Sequence, residues 1–265
     1  MNKVIARRLC YIIATIAIVA AIIALVALGA IVAHRHAKKS AVARAVTVTV
    51  IPGSTINTIA KTLSRSGLPA QDFLKLALPN FDASTTSRAS ASTTGSGLEG
   101  YLYPDTYSFA ANESAADITK TMRDNFDAHA SSSLFANQIE HQKETIRSER
   151  DVVIIASILE KEVVADADKK IVAGILWKRI DAGLPLQVDS VESYFLASSE
   201  GTVYNTYRNT GLPFSPICNP SLRSIEAALE PTTTDYWYFL SKSDGEIVYS
   251  RTLSGHLINK AKFVK

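Results

Sequence analysis

The sequence predicts an α+β fold that follows an apolar N-terminal helix, and three observations lead there. Residues 9–33 run without a single charged side chain. Helical hydrophobic periods dominate the rest of the chain, above all in the stretch from Asp151 to Ile180. Strand-like alternation is confined to short runs at Ala45–Val50, Tyr236–Leu240 and Ile247–Ser250, set apart from the helices. A length of 265 residues allows one to two modest domains, and a net charge of +3 is too small to argue for nucleic acid.

Residues 1–8 form a short basic tail, expected in the cytoplasm. The uncharged run of residues 9–33, at roughly 1.5 Å per residue, reaches about 37 Å and spans a bilayer core with some tilt. A cleaved signal peptide is the competing reading. The run exceeds a typical signal core and basic residues follow it, so a single-pass anchor in the plasma membrane is expected, with the lipid bilayer as partner. Lys3, Arg7 and Arg8 precede the run, while Arg35, Lys38, Lys39 and Arg44 follow it. Charge alone therefore leaves the orientation open. Cys10 and Cys218 are the only cysteines, and one inside the membrane leaves no intramolecular disulfide. Cys218 reads as a small packing residue.

Residues 45–82 open with alternation and a Pro52-Gly53 turn. Ser54 or Thr55 can cap a helix through Leu63, Gly67 ends it, and Ala70–Leu78 reads as a second short helix. Residues 83–97, ASTTSRASASTTGSG, lack large apolar side chains and cannot offset the entropy of ordering, which predicts a flexible linker. Residues 98–265 then form the larger domain. LEGYLYPDTYSF (residues 98–109) reads as an ordered aromatic segment, with Glu99 and Asp105 as its acidic groups. Residues 115–150 read as amphipathic helical scaffold.

The helix from Asp151 is apolar on most faces through Leu159, as expected of a core helix, and then carries Glu160. Glu160 shares its face with Val153, Ala156, Ser157 and Val164, so desolvation is expected to raise its pKa toward that of a general acid. Glu162, roughly 200° further round, points the other way, so the two cannot flank one bond. The plain alternative is a helix end whose Glu-Lys-Glu meets solvent. Asp166 or Asp168 can cap the next helix, through Ile180, closed by Gly183 and Pro185. A short helix at Ser224–Leu229, a buried strand at Tyr236–Leu240 and a hairpin through Ser243–Glu246 complete the elements. No His/Cys/Asp/Glu cluster has metal-ligand spacing, and no cofactor is expected.

ASILEKE, IVAGILWKRIDAGLPLQVDSVESY, YNTYRNTGLPFSPICNP and LEGYLYPDTY occur in an order and spacing that resemble the MltG/YceG-like endolytic murein transglycosylases. The resemblance covers nearly the whole chain. It departs at Trp177-Lys178-Arg179, where of the family's Phe-x-Asn-Arg only Arg179 carries over, after Asp189, where the family's Pro and Thr are lost, and at Phe214 and Ser221, where the pattern has Pro and Gly. It implies a LysM-like module at 45–82 and a catalytic domain outside the membrane. It implies peptidoglycan glycan strands as substrate, cut non-hydrolytically between N-acetylmuramic acid and N-acetylglucosamine to leave 1,6-anhydro ends and to limit nascent strand length. Membrane peptidoglycan synthases are the implied protein partners. Glu160 is then the expected catalytic acid, with Gln187, Asp189, Tyr194, Asn205, Thr206, Tyr207 and Glu99 as substrate-binding residues. His256 falls at a family histidine. Two rivals stand beside this reading. One is a lysozyme-like hydrolase using a second carboxylate such as Asp189, Glu192 or Asp105, and the other is an inactive membrane-tethered glycan-binding scaffold.

Overall fold

Strand β1 (Ala45–Thr49) takes up the predicted alternation and pairs antiparallel with β2 (Thr106–Ala110), Val48 opposite Tyr107. Between them in sequence lie α1 (Ile56–Arg65) and α2 (Ala70–Ala77). Thr55 caps α1 by accepting from Thr58 N at 3.2 Å, and Gly67 follows it at φ 75°. The computed structural model describes residues 45–78, 97–131, 147–197 and 204–263. The expected tail (1–8), the expected transmembrane helix (9–33) and all but the last residue of the expected linker lie outside them. Among the described residues no helix is long and apolar enough to cross a membrane.

The small strand–helix–helix–strand unit is not closed within residues 45–82. Ile56, Ile59, Leu63 and Phe73 share one core with Leu102, Tyr107, Phe109, Ile118 and Met122. Two of those side chains lie on β2 and two on α3 (Ala115–Phe126), which runs on as a π-helical turn, Asp127–Ser131. Sheet and core therefore cross the boundary expected at residue 97. The physical reason is simple: two short helices and one strand cannot cover their own apolar faces.

The second core is built around α4 (Glu149–Glu162), capped by Ser148, which accepts from Asp151 N at 3.2 Å. Residues Val152 through Leu159 are all wholly buried, the all-round burial that their apolar run predicts. Against α4 pack α5 (Asp166–Asp181), α6 (Asp189–Ala197) and α7 (Leu222–Leu229). No side chain caps α5. Asp166 is its first residue, and the N-cap is Ala165 rather than either expected aspartate. Strands β3 (Tyr238–Ser241) and β4 (Ile247–Ser250) form the expected hairpin, and α8 (Leu253–Phe263) follows. The first of these strands is half-buried where full burial was expected, since a two-stranded ribbon has no second layer to enclose it. Among the described residues both sheets are two-stranded and the rest is mainly helical, so the class is α+β.

Candidate active site

The end of α4 divides the predicted site residues between its two sides. On one side lies Glu160, its side chain 11% exposed. One carboxylate oxygen accepts from Ser221 N at 3.0 Å and from the Ser221 and Ser224 hydroxyls at 2.6 Å each, and Lys169 Nζ stands 3.6 Å away. Burial pushes the carboxyl up, but these hydrogen bonds, with the Lys169 charge, outweigh it and hold Glu160 below the usual carboxylate range. The expectation of a raised pKa is thereby reversed. Burial was visible in the sequence; the donors arrive from α7 and the turn before it, more than 60 residues away.

That turn is fixed by α4 itself. Ser157 Oγ accepts from Ile217 N at 3.0 Å, and the Cys218 thiol lies on Ser157 O at 3.3 Å. Cys218 is wholly buried, as expected of a packing residue. Asn219 then ties three segments together. Its amide nitrogen donates to Ser54 O at 2.9 Å and to Glu99 Oε1 at 3.0 Å, and its oxygen accepts from Leu102 N at 2.8 Å. Gly100, at φ 91°, packs so closely on Pro216 that a Cβ would stand 2.6 Å from its ring, which brings Glu99 up to this turn.

Glu99 was expected to meet substrate, but it is 6% exposed and fully engaged. It accepts from Ile56 N at the start of α1, from Asn219 and from Tyr194 OH at 3.0 Å. Burial pushes its pKa up to about 7 against the lowering effect of these donors and of Lys161. Its position makes it a lock between the small unit and the larger core. Tyr194 is drawn to that lock, away from the other predicted binding residues.

The opposite side of α4 carries Glu162, which is half-buried. It accepts from Ser190 N at 3.3 Å, the one hydrogen bond to its carboxylate among the described residues. Ser190 Oγ beside it is buried without a partner among those residues, a polar atom left for a ligand or water. Tyr207, 41% exposed, donates to Asp189 at 2.6 Å. Burial raises the Tyr207 phenol, followed by the hydrogen bond to Asp189 and the charges of Asp189, Glu162 and Glu192. The charges of Glu162, Asp189 and Glu192 therefore all bear on Tyr207.

Gln187, Asn205 and Thr206 hold this side in shape. Gln187 is the one non-glycine residue with positive φ (57°) among those described, and its side-chain amide oxygen accepts from Arg179. Its backbone N–H donates to Thr206 O at 3.0 Å. Thr206 is wholly buried, its hydroxyl bridging the N–H and C=O of Val188, so it supports the loop and does not reach substrate. Asn205 donates to Glu192 at 3.1 Å and accepts from Tyr207 N and Arg208 N, building the turn that presents Tyr207. Of the predicted residues, the structure thus brings Gln187, Asp189, Asn205, Thr206 and Tyr207 together, next to Ser190, whose N–H meets Glu162, and leaves Glu160, Glu99 and Tyr194 elsewhere. Glu162 and Ser190 are the residues that sequence reasoning passed over. Helical geometry had already separated the two glutamates, but nothing local says which side becomes the cleft. Among the described residues no group of acidic, His or Cys side chains could hold a metal.

The chain matches the YceG-like family over residues 19–262. It is 36% identical over 176 residues to the endolytic murein transglycosylase of Bacillus subtilis (strain 168), covering 62% of this chain and 47% of that protein. The endolytic murein transglycosylase of Streptococcus pneumoniae (strain ATCC BAA-255 / R6) is 28% identical over 183 residues, covering 63% of this chain and 32% of that one. The chain thus spans about half the length, or less, of these relatives. A YceG-like protein from Listeria monocytogenes, solved as a crystal structure, has a TM-score of 0.65 at 29% identity over 81% of this chain and 76% of that one.

Proposed function

The chain belongs to the YceG-like family, and from that premise we propose that it is a membrane-anchored lytic transglycosylase of peptidoglycan with Glu162 as its acid. The relatives named endolytic murein transglycosylases support the reaction class. The observation that carries the choice of acid is that Glu162 meets Ser190 N, in the segment where Gln187, Asp189, Asn205 and Tyr207 come together. Glu160, by contrast, is held below the usual carboxylate range by Ser221, Ser224 and Lys169, all acting on one of its oxygens. A general acid must hold a proton until the bond breaks, which a carboxyl stabilised in its charged form resists.

In the reaction, Glu162 gives its proton to the glycosidic oxygen as the bond from the muramyl anomeric carbon to that oxygen breaks. The departing strand leaves with the proton. The muramyl ring takes on oxocarbenium character, and its own 6-hydroxyl attacks the anomeric carbon. Glu162, now a carboxylate, removes that hydroxyl's proton and is restored. Bond and proton counts close without water, giving a 1,6-anhydro end. Tyr207 and the Ser190 hydroxyl are positioned to hold sugar hydroxyl or acetamido groups.

One observation favours a second reading. Asp189 accepts from Tyr207 and Glu192 accepts from Asn205, so a carboxylate that activates water could be drawn from this side, giving hydrolysis. Mass spectrometry of muropeptides from digested glycan strands separates the readings: anhydro ends support the transglycosylase, reducing ends the hydrolase, and uncut strands a binding scaffold.

Residues 9–33 are read as the anchor because they carry no charge over a bilayer's width, with residues 45–265 outside the plasma membrane. This site would shorten nascent strands beside membrane peptidoglycan synthases. The unit made of β1, α1, α2 and β2 is read as LysM-like from its element order and antiparallel pairing. A cavity of about 560 Å³, lined by Asn57, Thr58, Lys61, Ser64, Gln71 and Tyr194, gives it room and polar groups for glycan.

A further inference from the structure

The imidazole of His256 is stacked on Tyr238 with ring centroids 5.3 Å apart, and its Nδ1 is buried without a hydrogen-bond partner among the described residues. It lines a cavity of about 150 Å³ between α8, the β3–β4 hairpin and the end of α5. Arg179, Gln187, Tyr207 and Lys260 line the same cavity. Arg179 is 5% exposed, and its guanidinium donates to Pro185 O, Trp237 O and the Gln187 side chain, never to a carboxylate. Among the described residues neither Arg179 nor Lys260 has an acidic partner within ion-pair distance. Burial, and after it the charges of Lys260 and Arg179, hold His256 below its ordinary pKa.

A buried guanidinium with no counter-charge is costly to keep. The nitrogens of Arg179, His256 and, from its exposed edge, Lys260 line it with nothing negative among them, while the Arg179 guanidinium is also bonded to the Tyr238 side chain. The cavity is therefore electrostatically incomplete. Its space suits several waters or one carboxylate with the carbon that bears it. Tyr207, on which the charge of Glu162 bears from the catalytic side, is also a wall of this cavity.

We propose that the cavity lined by Arg179, Gln187, His256 and Lys260 is a carboxylate subsite for the peptide borne by the muramyl unit whose bond is cut. This rests on the proposed reaction at Glu162. The muramyl ring that reacts at its anomeric carbon bears its peptide, through a lactyl ether, two ring carbons away. A carboxylate of that peptide is thus within reach of a cavity one aromatic side chain from the acid. Reach together with charge would then select peptide-bearing strands over denuded ones, whose remaining carboxylate is the lactyl group held next to the ring, and fix the reacting ring as well. The loss of one charge-assisted hydrogen bond is typically worth on the order of 10-fold or more in binding.

The test uses the full chain, its Lys260→Gln variant and its His256→Phe variant, which keeps a ring against Tyr238. Each is assayed on peptide-bearing strands and on strands stripped of peptide by an amidase. Separately, each is titrated with a muramyl tripeptide ending in a free carboxylate and with its C-terminal amide. The expected result is tighter binding of the acid than of the amide by wild type, and a preference for peptide-bearing strands that falls about 10-fold in each variant. Equal binding of acid and amide, or one ratio of kcat/KM shared by all three proteins while all still cut, overturns the subsite. If no strand is cut by any protein but the acid still binds in preference to the amide, the proposed reaction fails and the subsite stands.

Discussion

Replacing each glutamate of the α4 end by glutamine should break two different properties of the molecule. Glu162→Gln keeps an oxygen for Ser190 N but removes the transferable proton. General acid–base help is typically worth about 10²- to 10⁴-fold, or roughly 3–5 kcal/mol of barrier. Because one residue acts in both half-steps, the upper end is expected, with the melting temperature little changed. Glu160→Gln instead strips the counter-charge from Lys169, which is 5% exposed, and sets an amide N–H₂ among donors from Ser221 and Ser224. Breaking a buried pair costs about 3–5 kcal/mol. Asp166, also 3.6 Å from Lys169 Nζ, compensates in part, so about 3 kcal/mol is expected. For a domain of this size that lowers Tm by roughly 6–12 °C. The assays are thermal melting and initial rates of anhydro-end formation on purified strands. A Glu160→Gln protein that melts like wild type yet makes no ends, beside a Glu162→Gln protein that cuts normally, would refute the assignment.

Three further outcomes are expected. Glu99, raised to about 7, binds its proton more tightly folded than unfolded, so its contribution to stability is present below the unfolded pKa and lost as pH rises toward 7. Denaturant melts of Glu99→Gln and wild type should therefore shift in the variant's favour between pH 4.5 and 8, by on the order of 3 kcal/mol; a pH-independent difference contradicts the buried charge. Ser221→Gly removes a hydroxyl donor from Glu160, whose lowered pKa gives stability above the unfolded pKa that disappears on acidification. Melts of that variant should show a loss of about 1.5–3 kcal/mol at pH 7 that shrinks as the pH falls below the carboxylate range. Finally, a protease cut within residues 83–97 should leave two fragments that co-elute on gel filtration without denaturant, because β1 pairs with β2 and the core is shared. Clean separation would mean the small unit closes on itself.

How much of this was legible depends on how far apart in the chain the cause of each feature lies. The α4 core was readable because eight consecutive apolar or small residues, Val152–Leu159, admit only all-round burial. The helices α1 and α2 and the β3–β4 hairpin were readable from local caps and turns. The pairing of β1 with β2 was not, since TYSFA is too short an alternation to name a partner 57 or more residues away. The site shows the same divide more sharply. Periodicity places Glu160 and Glu162 on opposite sides of one helix, but both belong to the same family motif, so neither pattern nor resemblance says which side opens to substrate. That is decided by what packs on each side. The turn from Pro216 to Ser221 closes over Glu160, while α6 and the Asn205 turn leave the charge of Glu162 bearing on Tyr207. Between them Lys161 reaches back to Gly53 O at 2.7 Å, on the small unit. The three residues of Glu-Lys-Glu therefore do three separate things. One ties α4 to α7, one ties it to the small unit, and one is left to face the cleft.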